Sequence, residues 1–79
     1  MNSFVNKLLN PSAEKTALFN QASELQRQAD VNKRYASAAV RTFAATGRES
    51  CLIAESAHLA AAARKEEQAS QLIDAALTK

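Results

Sequence analysis

Apolar residues recur along most of this chain at alternating intervals of four and three. Leu18, Ala22, Leu25, Ala29, Asn32, Ala36, Ala39 and Phe43 fall on one such line. That spacing keeps one stripe of an α-helix turned toward a partner, as in a coiled coil. Phe19 and Val40 widen the stripe on one flank. The segment opens at Asn10-Pro11, where Asn is a favoured N-cap and Pro fits the first helical position because its missing N–H has no partner to lose. No Gly or further Pro follows until residue 47. The pattern predicts one helix over about 11–45. Asp30 offers a weak alternative start, which would divide the segment in two.

A second stripe follows residue 47. Leu52, Leu59, Ala62, Ala69, Ile73 and Ala76 share a face, with Leu72 and Leu77 beside it. Glu55 and Glu66 interrupt it, and residues 64–68 are polar all round, so that turn is expected to be exposed or bent. Between the two stripes stands Thr46-Gly47-Arg48-Glu49. Thr46 and Glu49 have the spacing of a capping box, and Gly47 suits the close of the preceding helix. A second helix is expected over about 47–78. If the chain folds at Gly47, facing residues carry numbers that add to about 95. Leu25 then opposes Ala69, Ala22 opposes Ile73, Leu18 opposes Ala76 and Ala36 opposes Leu59. Large repeatedly meets small, as two closely packed helices require.

Ahead of both helices lies a short arm, residues 1–10. Phe4, Val5, Leu8 and Leu9 would share one face of a two-turn helix behind Ser3. Two turns are unstable alone because nucleation is costly, so the arm must dock or stay mobile. The expected fold is therefore all-α: a long helical hairpin or a small helical bundle, with an N-terminal helical arm, in a single domain.

Composition narrows this picture. The chain has 79 residues with one Gly, one Pro and no Trp. An all-β fold needs turn residues throughout, and a nucleotide-binding α/β fold needs a Gly-rich loop; both are excluded. Of 37 hydrophobic residues 18 are Ala, so a lone two-helix hairpin buries little area and a partner or a copy is expected to cover the rest. No apolar run reaches the roughly 20 residues of a membrane span. The first residues lack the apolar core of a signal peptide, and a reducing cytoplasm suits the single Cys51.

Candidate chemistry is sparse. Glu55-x-x-His58 matches the Glu-x-x-His element of di-iron bundles. The facing stretch, residues 36–40, holds no carboxylate. Cys51, Glu55 and His58 share a face, but Cys51 and His58 stand about 10 Å apart along the axis, too far to share one ion or to act as nucleophile and base. No catalytic residue, cofactor or metal ligand is expected. Asn32 sits in mid-stripe, either as a buried residue that fixes register or, if the helix breaks near Asp30, facing water.

The net charge of +2 is mild, yet residues 27–48 hold five basic residues and one acidic one. Arg27, Arg34, Arg41 and Arg48 recur every seven positions, with Lys33 beside them. They read as a solvated outer face, a contact for an acidic protein or a nucleic-acid stripe. The favoured expectation is a small non-catalytic protein acting through protein–protein interaction, as an assembly subunit or a regulator. It would use Arg27, Lys33, Arg34, Arg41, Phe4, Val5, Leu8, Leu9, Leu72 and Leu77, and would form a homo-oligomer. A nucleic-acid-associated hairpin using the Arg stripe is the alternative.

Overall fold

The computed structural model describes residues 11–78. They form a helical hairpin in which α1 (Pro11–Thr46, 36 residues) turns back into α2 (Glu49–Leu77, 29 residues). There is no strand among the described residues. The arm, with Phe4, Val5, Leu8, Leu9 and the cap residue Asn10, lies outside them. Pro11 opens α1, and nothing after it breaks the main-chain ladder. α1 passes through Asp30 without interruption. The Asp30 carboxylate accepts a bond from Gln26 Nε2 at 3.3 Å, one turn back on the same helix, so it supports α1 and caps no new one. The division of this segment near Asp30 does not occur.

The reversal is made by Gly47. Its φ of +70° is the left-handed region that other residues enter at a cost, and its N–H donates to the Phe43 carbonyl at 2.7 Å. One such bond from a left-handed residue is a common helix ending. The capping box does not form. Thr46 is still helical, so its hydroxyl donates back to the Thr42 carbonyl at 2.8 Å and accepts the Arg48 N–H at 3.4 Å. Arg48 takes the N-cap position of α2 in an extended conformation, with no side-chain capping bond.

Six alanines form the buried core: Ala22, Ala29 and Ala36 from α1, and Ala62, Ala69 and Ala76 from α2. Each trio is spaced by seven, one step of the coiled-coil repeat. Small side chains along the whole contact let two helices approach closely. Around these alanines α1 packs as its pattern predicts, with Leu18, Leu25, Asn32, Ala39 and Phe43 half-buried.

α2 departs from expectation. Leu52, Leu59 and Ile73 remain 40%, 47% and 38% exposed. The half-buried positions between the alanines are Cys51, Glu55, His58, Lys65 and Leu72. With Ala62, Ala69 and Ala76 they also alternate by four and three, so the true seam is rotated by roughly 50°, half the angle between neighbouring helical residues. Residues 64–68 are neither fully exposed nor set apart: Lys65 and Glu66 are half-buried against α1.

Candidate functional site

The rotation of α2 has a polar cause in the middle of the hairpin. Asn32 sits on the α1 seam, half-buried, and a buried amide without partners costs about 1–3 kcal/mol. Lys65 Nζ donates to Asn32 Oδ1 at 2.7 Å. That contact fixes the amide, because only its oxygen can receive an ammonium. The Asn32 NH2 group then faces His58 Nδ1 at 3.1 Å. Nδ1 is then the acceptor of this bond. Tyr35 stacks on the same ring, with centroids 5.4 Å apart and planes 28° from parallel. Turning α2 so that Leu59 entered the seam would replace His58 and Lys65 by Leu59 and Glu66, and Asn32 Oδ1 would lose its ammonium donor.

The two flanks of the seam are unlike. On one, Lys33 pairs with Glu66 at 3.1 Å, and Lys33, Val40 and Leu59 line a single shallow recess with Ala36, Ser37 and Glu55. Steps of seven extend this flank through the exposed Gln26 to Phe19 on α1, and to Leu52 and Ile73 on α2, the large residues all partly exposed. Opposite lie Gln21 and Gln28, which with Leu25 and Leu72 border another recess. Tyr35, Arg27 and Lys65 border a third on that side. The first flank thus holds more of the exposed large aliphatic and Phe side chains, around Gln26 and the central ion pair, whereas the other sets Leu25, Leu72, Val31 and Tyr35 among amides.

The outer surface of α1 carries the basic stripe. Arg27, Arg34 and Arg41 are exposed along it, and Arg48 is exposed beyond its end, at the N-cap of α2. Arg27 is engaged within its own helix, Nε donating to Glu24 Oε2 at 2.9 Å. This bond, and a second from Gln28, hold the Glu24 carboxyl down at about 2. Arg34, Arg41 and Arg48 have no ion pair among the described residues.

The expected contact residues fall in several places. Lys33 belongs to the apolar flank through Glu66. Leu72 is a seam residue beside Leu25, and Leu77 is 67% exposed near the end of α2. The structure does not gather these residues with the Arg stripe into one site. Phe4, Val5, Leu8 and Leu9 lie outside the described residues. Phe19, Leu52, Leu59 and Ile73 were visible as apolar residues but were assigned to the stripe or its edge; the signal that separates them is that the alanines alone keep an unbroken step of seven. Cys51 is a free, half-buried thiol. His58 faces Asn32 and Tyr35, and no group of three metal-binding side chains occurs among the described residues. No described helix is long and apolar enough to cross a membrane. Compared with protein-family models, curated proteins and solved structures, the chain has no match.

Proposed function

We propose that this chain is a non-catalytic helical protein that works by binding protein through an exposed helix face, as an assembly subunit or a small regulator. The observation that carries this is the apolar flank: Phe19, Val40, Leu52, Leu59 and Ile73 stand partly in water while the core is made of alanine. A large apolar side chain left in water forgoes about 1.5–3 kcal/mol. Several together rival the whole net stability of a small domain, about 5–15 kcal/mol. The accessible surface, 5794 Å², also exceeds the roughly 4,700 Å² of a compact monomer of this mass.

A photo-crosslinking residue at position 59, introduced in the cells that make the protein, tests this reading. Protein adducts of one or a few defined masses are expected there and not at position 34. Absence of protein adducts at both 59 and 73 would overturn it.

The second reading is a nucleic-acid contact through Arg34, Arg41 and Arg48, favoured by the exposure of Arg34 and Arg41 on one face of α1 and of Arg48 at the turn beyond it. Its signature is binding to RNA or DNA that weakens steeply with salt and is lost when the three become Gln.

A further inference from the structure

We propose that the apolar flank is covered by a second copy of this chain, so that two hairpins close face to face into a four-helix bundle. This rests on the protein-binding reading above and names the partner. The sequence pattern supplies the first reason. A helix in a two-stranded coil needs apolar residues only along its seam, whereas a helix with two neighbours needs one adjoining row more. Both helices here carry large apolar residues in that adjoining row, on the same side of the hairpin: Phe19 and Val40 at the ends of the α1 row, outside Gln26 and Lys33, and Leu52, Leu59 and Ile73 around Glu66 on α2.

Shape supplies the second. The molecule measures 60 × 19 × 14 Å, a slab two helices wide and one deep. Its broad face, roughly 1,100 Å², is comparable to the ~800 Å² that each partner contributes to a stable interface. Its radius of gyration, 18.3 Å, is well above the roughly 12 Å of a compact chain of this length. Stacking a copy on the broad face adds the missing layer.

Charge supplies the third. Lys33 and Glu66 meet in the middle of this face, with large apolar residues toward both ends, and each side chain keeps a substantial exposed share, 48% and 39%. A two-fold axis lying in the face and running along the helices sets Lys33 of one copy over Glu66 of the other; an axis across the helices would set like over like and is disfavoured. The central pair is therefore self-complementary, and each charge gains a second opposite neighbour. A two-fold arrangement is also the commonest form of self-association.

The test uses the whole chain. Light scattering of the wild type at micromolar concentration is expected to give twice 8.5 kDa. Lys33→Glu and Glu66→Lys each place like charges at the centre of the interface, and each variant alone is expected to shift toward 8.5 kDa. Mixing the two should restore a dimer, containing one chain of each kind, with at least tenfold tighter association than either variant alone. The intramolecular pair cannot produce that rescue, because each variant carries two like charges within its own chain. Leu59→Ser with Val40→Ser should also dissociate the dimer, whereas Gln28→Glu on the opposite flank should not. A wild type that stays at 8.5 kDa with a cooperative melt, or a dimer indifferent to both charge variants, would overturn the proposal. A monomer whose position 59 crosslinks to a different protein would overturn the copy as occupant and leave the proposed function standing.

Discussion

The two helices of this hairpin divide their large apolar residues differently. α1 turns Leu18, Leu25 and Phe43 into the seam and leaves Phe19 and Val40 on the flank. α2 turns in Leu72 alone, leaves Leu52, Leu59 and Ile73 on the flank, and fills the rest of its seam with Cys51, Glu55, His58 and Lys65 between alanines. Hydrophobicity alone would have rotated α2 the other way. The line of contact follows the alanine trios, which permit close approach, and the needs of Asn32, which is satisfied only by His58 and Lys65. Small residues and one polar group have decided where a helix faces, and the larger apolar residues were left for another surface.

The sharpest way to break the comparison is to enlarge an alanine. Ala29 is fully buried, and Ala29→Leu forces the helices apart. A loss of about 1–3 kcal/mol is expected, as in other overpacked cores, read by chemical denaturation with helicity followed by circular dichroism. An unchanged midpoint would mean that the alanine line is not the contact.

Gly47→Val comes next, at about 1–2 kcal/mol. A Cβ there meets nothing within 4 Å, so the whole effect is the left-handed backbone at φ +70°. Gly47→Asn should recover much of it, because Asn tolerates that region. Equal melting temperatures for Val and Asn variants would contradict the turn.

Lys65→Met probes the polar side of the α2 seam. It removes the donor to Asn32 Oδ1 and is expected to cost about 1 kcal/mol. Replacing Asn32, His58 and Lys65 together by Leu makes the α2 seam resemble that of α1. That triple variant should be at least as stable as the single one, since no half-satisfied group remains. If it is markedly less stable, the cluster contributes more than mutual satisfaction.

The smallest effect belongs to Glu24 and Arg27, which lie outside the seam. The Glu24 carboxyl is held at about 2, below its ordinary value of 4.5. Its contribution to α1 is therefore present above the ordinary value and disappears as pH falls toward 2. In Arg27→Ala the carboxyl should rise toward 4.5 but stay below it, because Gln28 still donates to it, observed by carbon-detected NMR, with the cross-helix contacts unmoved.

Much of this fold was legible. The α1 seam and the reversal at Gly47 follow from spacing and backbone preference, whereas the pattern leaves the passage of α1 through Asp30 open, because Asp can also start a helix. On α2 the positions of Ala62, Ala69 and Ala76 were legible, but half of the expected stripe was not the seam. Leu52 and Leu59 drew the line toward themselves because burial of Leu is the stronger prior. Only knowing that Asn32 needed two donors or acceptors opposite it would have chosen Lys65 and His58. The capping box misled for a local reason: a Thr that is still helical bonds its own preceding turn. Lys33 stood out in the sequence beside the basic stripe, but its ion-pair partner Glu66 looked like an interruption until the two chain segments were side by side.

A hairpin with a single reversal has one further consequence, in its kinetics. Every contact between α1 and α2 encloses Gly47, so the contacts nest like the teeth of a zip fastened at one end. Phe43 and Cys51 close a short loop, while Leu18 and Ala76 close one that includes most of the chain. Loop-closure entropy rises slowly with length, so each layer is easiest to add once the layer nearer Gly47 is in place. Assembly then runs outward from the turn, and opening begins at the far mouth, where Phe19, Ile73 and Leu77 stand. The polar cluster around Asn32 lies partway along and divides the fast-opening mouth from the slow-opening base.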